Sequence, residues 1–325
     1  MKLKKILGIF IVLSMVIAGQ ALGGSIKLAL DSPPDLKLSG TYVWASAFST
    51  YLKKQGLTVE EYQRGALGGE AERLDQISTG LLEVSQSDVK VVGGMNPLMF
   101  CVILPYFFEN AAQLDRALYE GGMLAKINDS TTKKGVRVLS VNHLGLPAGI
   151  FNSKHPIHKA DDMKDLRMRA LDKLQISVFE AWGTNATIVA WDEVPNALQT
   201  GIADGYVNPP FVPLLFGHTG FIKHFTDAGI APSIRLTIAS EDWYQGLSSK
   251  DRKIVDDGIT AANRANREWL ANRVDILKML EAKGIQVVKL TPEARAEFRA
   301  RSSIIYEKGP IPAPLIAAWE KAMGK

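Results

Sequence analysis

"AWDEVPNALQTGIADGYVNP", residues 190–209, joins a helical pattern to a short strand, and that junction decides the class of fold. Asp192 and Glu193 stand where the first turn of a helix favours acids, and Pro195 is tolerated in that turn. Val194, Ala197, Leu198 and Ile202 recur at helical spacing, and Gly201 ends the run. Gly205-Tyr206-Val207 then reads as a brief strand, stopped by Asn208-Pro209-Pro210. In an open α/β sheet, ligands bind beyond the carboxyl ends of the strands, which is where Asn208 falls. The stretch therefore predicts a site but names no chemistry.

The same grammar extends in both directions. "SIKLAL" (25–30), "LTVEEYQ" (57–63), "LEVSQSDV" (82–89), "GVRVLSVNHLG" (135–145) and "AGIFNSKHPI" (148–157) read as strands. A helical pattern covers about Ser39 to Lys54, another follows the glycine-rich "RGALGG" and ends at Gly80, and a third lies around Ile176–Trp182. Strands alternating with helices predict parallel α/β sheets. The 325 residues suffice for about two domains with sizeable cores. From Ser249 to about Lys283 a helical pattern runs without proline, and Gly284 caps it. At 1.5 Å per residue it would span about 50 Å, more than one compact domain needs.

Lys2, Lys4 and Lys5 precede an apolar run, Ile6–Ala18, interrupted only by Gly8 and Ser14. Its 13 residues are short for a membrane span and of the right length for a secretory signal. Ala21-Leu22-Gly23 supplies small residues for cleavage near Gly23. Residues 1–23 hold three lysines and no acids, so their removal takes the formal charge from +4 to +1. A nearly neutral mature chain lacks the basic footprint of a nucleic-acid binder. The single cysteine, Cys101, sits in the apolar "LMFCVILPYFF", which predicts burial and rules out an internal disulfide.

Enzyme signatures fail on inspection. "SDVK" (87–90) matches S-x-x-K but has no S-D-N or K-T-G companion. His155 and His158 have ligand spacing, yet Pro156 between them opposes a helix, so a solvated loop is expected. No G-x-S-x-G occurs, and "GALGG" lacks the setting of a dinucleotide fingerprint. That glycine turn either offers backbone N–H groups to a ligand or is a plain tight turn. In "DDMKDLRMRAL" alternation sets Met168 and Ala170 on one face and Arg167 and Arg169 on the other. An arginine at a strand end can hold a carboxylate with two parallel hydrogen bonds.

Taken together, "LGGEAERLDQISTG", "LPYFF", "FNSKHPIHKADDMKDLRMR" and "WDEVPNALQTGIADGYVNP" resemble, in order, segments of the extracytoplasmic solute-binding proteins of tripartite ATP-independent periplasmic (TRAP) transporters. The resemblance covers essentially the whole mature chain. It implies two α/β domains joined by crossing strands and a long domain-spanning helix, with a ligand cleft between the domains. The corresponding division is a signal peptide at 1–23, a first domain of 24–147 plus about 236–270, and a second of 148–235 plus about 271–325. Arg169 matches the residue that grips the ligand carboxylate, Asn208 the one that completes the grip, and Trp191 an aromatic set against the ligand. Glu70, Asp88 and Asp31 fall at polar cleft positions, and Phe211, Trp44 and Trp182 are further aromatic candidates. Family members often carry a second arginine just before the "NSK" strand, but here that stretch is "LPAGIF". One carboxylate with an amino, keto or aromatic body is therefore expected, bound without cofactor or metal by a periplasmic monomer that hands it to transporter membrane subunits. The rivals are a sensory ligand-binding module of the same fold and a secreted α/β hydrolase.

Overall fold

A computed structural model describes residues 25–309 and 311–324; the expected signal segment lies outside them. The strands are β1 (Ile26–Ala29), β2 (Val59–Tyr62), β3 (Val84–Ser87) and β4 (Val136–His143), then β5 (Gly149–Asn152), β6 (Arg167–Ala170) and β7 (Asn185–Ile188). After these come β8 (Gly205–Asn208), β9 (His224–Asp227), β10 (Ile234–Ser240) and β11 (Gln286–Lys289). They form a five-stranded sheet of order β2-β1-β3-β10-β4 and a six-stranded sheet of order β11-β9-β5-β8-β6-β7.

The expectation of parallel sheets holds for β2-β1-β3 and for β8-β6-β7. In the first sheet β10 runs against both neighbours, and in the second β5 does. Each reversed strand is the one the chain enters directly from the other lobe. Parallel neighbours need a crossover, usually a helix, whereas a strand entered straight from across a cleft comes in reversed. The two crossings, residues 144–148 and 228–233, lie side by side. Leu144 and Ala148 donate backbone N–H groups to Ser233 and Ala231, and Ile230 donates to Ala148.

Ser39 caps the helix Gly40–Lys54 by accepting from the Tyr42 N–H. This helix packs with Ser249–Asn272 over one face of the first sheet. Trp44, stacked on Phe48 at 4.9 Å, belongs to that core and donates to Asn263, so it does not reach the cleft. On the other face a continuous apolar cluster runs from Ile77, Val92 and Cys101 into the second lobe at Phe151, Trp182 and Phe298. Burial pushes the Cys101 thiol up to about 12, leaving it a small apolar filler.

The single helix expected over 249–283 is two. It ends at Asn272, Arg273 is extended, and Asp275 caps a new helix, Ile276–Glu281, by accepting from the Lys278 N–H. The first of these spans about 36 Å at 1.5 Å per residue, and the break is a third passage between lobes. The helix Pro292–Lys308 stays with the second lobe, where Trp182 donates to Ser302. The last helix, Ala313–Ala322, returns to the first: Trp319 meets Phe108 edge-on and donates to the Leu98 carbonyl.

Candidate ligand-binding site

Between the lobes lies a cavity of about 160 Å³. The crossing segments form its floor through Leu144, Ala148 and Ile230–Ile234. Asp31, Ser32, Thr41, Arg64 and Ile103 face it from the first lobe, and Leu171, Asp172, Phe179, Trp182, Trp191, Asn208, Phe211 and Phe216 from the second. Of the residues singled out from the sequence, Asp31, Trp191, Asn208, Phe211 and Trp182 line the cavity. Arg169, Asp88 and Glu70 are not among its lining residues but adjoin them: the Arg169 guanidinium carbon is 5.7 Å from the Trp191 ring centre, and Asp88 bonds Arg235.

The opening stretch folds as its residues dictate. Trp191–Glu193 is one tight turn, Val194–Gln199 a short helix with Pro195 in its first turn, and Gly201 leaves it at φ +73°. Gly205 opens β8 because a Cβ there would lie 1.9 Å from the Phe151 carbonyl oxygen. In register Arg169 lies opposite Tyr206, and strand alternation places Asn208 on the same side as Tyr206. The two sequence-predicted carboxylate partners therefore project from adjacent parallel strands toward one end of the sheet.

Arg169 is 3% exposed, and its side chain makes one hydrogen bond among the described residues, from Nε to the Val189 carbonyl at 2.9 Å. Its guanidinium carbon lies 5.7 Å from the Trp191 ring centre. Burial lowers its pKa to about 10, although Asp88 nearby favours the charge. The group stays charged at neutral pH, desolvated and short of partners. Arg167, two residues earlier, differs: it is half exposed and bonds the buried Asp204 carboxylate through Nε and Nη2 at 3.1 and 3.0 Å.

Trp191 packs edge-on against Phe216 and lies 5.2 Å from the His218 ring. Burial lowers the His218 pKa to about 4, so its imidazole is neutral. The wall beside the expected carboxylate partners is thus an uncharged aromatic one.

Sequence reasoning expected one cleft arginine, and the structure corrects this. Arg235 lines the cavity and bridges two acids, donating from Nε to Asp31 Oδ2 at 2.9 Å and from Nη1 to Asp88 Oδ2 at 2.5 Å. These carboxylates hold its pKa above the usual arginine range against the cost of burial. Arg64 also lines the cavity and donates to the Asp31 carbonyl at 3.0 Å and to Asp192 Oδ1 at 3.1 Å. Glu70 acts one step back: it accepts from the Asp88 N–H at 3.2 Å and lies 3.7 Å from Lys90 Nζ. The glycine turn before it is closed on itself, with Gly68 donating to Gly65 and Gly69 to the Glu72 carboxylate. It is a plain tight turn.

Asp172 was also missed. It caps the helix Lys173–Ala181 through Oδ1, which accepts from the Gln175 N–H at 2.9 Å, and burial raises its pKa. Four buried polar atoms of cavity-lining residues have no partner among the described residues: Asp31 Oδ1, Asp172 Oδ2, Asn208 Nδ2 and Ser233 Oγ. Buried polar groups are nearly always hydrogen-bonded, so these four atoms are open to a partner from within the cavity.

The chain matches the profile of the bacterial extracellular solute-binding proteins, family 7, over residues 32–309. It belongs to that family. This solute-binding protein is 26% identical to the ectoine-binding periplasmic protein of Halomonas elongata, over 82% of its own length and 80% of the relative's. Solved TRAP periplasmic solute-binding proteins share its fold. One from Chromohalobacter salexigens, with bound D-glucuronate, aligns at a TM-score of 0.83 over 92% of this chain and 99% of that one, at 19% identity. One from Polaromonas, bound to D-erythronate, aligns at 0.79 over 91% and 97%, at 25% identity. The TRAP resemblance and the two-domain fold with an interdomain cleft, both expected from the sequence, hold. No helix among the described residues is long and apolar enough to cross a membrane.

Proposed function

We propose that the protein captures a small organic acid in this cleft and delivers it to the membrane subunits of a transporter. The observation that carries the reading is Arg169, a buried guanidinium with one hydrogen bond among the described residues, beside Asn208, whose buried amide nitrogen has no acceptor among them. A carboxylate supplies what both lack: negative charge for the first and an acceptor oxygen for the second. The Halomonas relative is named for ectoine and the Polaromonas protein holds D-erythronate; each of these ligands carries one carboxylate. The protein acts by stoichiometric binding and release, as a periplasmic monomer exported after loss of residues 1 to about 23.

Calorimetry on an organic-acid panel tests this, with each acid paired with its uncharged alcohol, as D-erythronate with erythritol. One-to-one binding of an acid, recovered unchanged and without binding of its alcohol, is expected. Equal binding of the alcohol, or conversion of the acid, refutes the reading.

A further inference from the structure

The ligand's far end has its own requirement, written in the acids of the cleft. Arg235 is committed to Asp31 and Asp88, and Arg64 to Asp192 on the rim. Among the described residues, Asp172 is the cavity-lining carboxylate with no cation bonded to it. Its Oδ1 is held by the helix it caps, and its Oδ2 is buried without a donor among the described residues. On the opposite wall Asp31 is 5% exposed and its Oδ1 is likewise without a donor. Ser233 on the floor is 7% exposed and its hydroxyl has no partner among the described residues.

The two acids occupy matching places. Asp31 comes soon after the end of β1 in the first lobe, and Asp172 soon after β6 in the second. Both lie where parallel strands present ligand contacts, one from each wall. A carboxylate oxygen accepts and never donates, so these orphan atoms call for donors.

Resting on the carboxylate reading above, we infer that the ligand is a zwitterion: beside the carboxylate held at Arg169 and Asn208 it carries a positively charged nitrogen bearing hydrogens, which donates to Asp172 Oδ2 from one side and to Asp31 Oδ1 from the other. A plain monocarboxylate would satisfy Arg169 but bring a further negative charge into the cavity that Asp172 lines and leave Asp172 Oδ2 without a donor. A ligand with its own cation balances that charge where it arises. The other walls suit this. Trp191 and Phe211 line the cavity with aromatic rings, a residue type that attracts a cation and offers a neutral polyol few partners.

Asp172→Asn is the decisive variant, because asparagine keeps the helix cap and removes the charge. Thermal-shift and calorimetric titrations would compare 4-aminobutyrate with pentanoate, pipecolate with cyclohexanecarboxylate, and both sets with D-erythronate. Amino acids of this kind should bind the wild type about tenfold or more tightly than their nitrogen-free partners, and Asp172→Asn should collapse that preference to within about threefold. If nitrogen-free or hydroxy acids bind as tightly as the zwitterions, or if the preference survives in Asp172→Asn with an unchanged melting temperature, the inference falls while the carboxylate reading stands. If no carboxylate of any kind binds, the carboxylate reading fails and takes this one with it.

Discussion

Arg64 Nη2 lies 3.1 Å from Asp192 Oδ1, a bond that ties the loop after β2 in the first lobe to the turn at Trp191 in the second. The same guanidinium donates to the Asp31 carbonyl, so Arg64 is anchored on its own side and reaches across the mouth of the cleft. The Asp192 side chain is 81% exposed. Water screens such a pair, and exposed pairs contribute about 0–1 kcal/mol. Asp192→Asn should therefore weaken ligand binding by no more than about fivefold, mainly through faster release, and added salt should reproduce the effect in the wild type. Stopped-flow release rates check this; a hundredfold loss would mean that Asp192 touches the ligand.

Arg235 should behave very differently. Its two bonds satisfy carboxylates whose side chains are 4% and 3% exposed, so its removal strands two buried charges. Breaking a buried pair in this way costs on the order of 3–5 kcal/mol. Arg235→Met should lower the unfolding free energy by about that amount in urea titrations, before any ligand is added. A loss below about 1 kcal/mol would show that Asp31 and Asp88 find other partners or protonate.

The buried imidazole of His218 predicts an acid-sensitive fold. Packed against Trp191, Phe216 and Tyr206, it is held neutral in the native state with a pKa of about 4, against about 6.5 when unfolded. The folded pKa is the depressed one, so the unfolded chain binds the proton first. The stabilisation is complete above pH 6.5 and erodes as pH falls toward 4. Buried His143 shifts in the same direction, so the contrast between wild type and His218→Gln isolates His218. Urea midpoints measured from pH 7 to pH 4 should fall more steeply for the wild type. Parallel profiles across that window would remove the argument.

Much of the fold was legible because it rests on local patterns. The "RMRA" and "GYVN" strands, the helix starting at about Ser39 and the Gly201 stop are statements about neighbouring residues, and Asn208 follows from its place at the carboxyl end of a strand. What stayed hidden depends on register between distant segments. Arg235 is the second residue of β10, which runs antiparallel to β3 with Leu236 opposite Ser87, and only that pairing sets it beside Asp88, 147 residues away. Asp172 reads locally as a helix cap, which it is, while its second oxygen acquires meaning from a wall built by the other lobe. Trp44 could not be told from Trp191 by residue type, since both rings suit a core or a cleft. The break at Arg273 was missed because no proline or glycine lies between Gly258, which the helix tolerates, and Gly284; the Asp275 cap was its only signal.

Arg169 is where stability and binding pull apart. In the empty cleft its guanidinium is desolvated and has one hydrogen bond, which is an energetic liability to the fold. With a carboxylate bound, it becomes one half of a buried pair. Truncating that half leaves the ligand charge dry and unpaired, at a cost of about 3–5 kcal/mol. Arg169→Ala should accordingly weaken carboxylate binding by roughly a hundredfold to several thousandfold. Arg169→Lys should recover only part of this, because an ammonium cannot form the planar two-bond contact. Arg169→Leu should bind no better than the alanine variant, yet unfold in urea at the same concentration as the empty wild type or higher. Arg167→Ala serves as the control: its partner is Asp204, outside the cleft, so affinity should change less than about threefold. Calorimetry of the four variants against one confirmed ligand decides the matter. If Arg167→Ala costs as much affinity as Arg169→Ala, or if Arg169→Ala costs less than about tenfold, the carboxylate is held somewhere else.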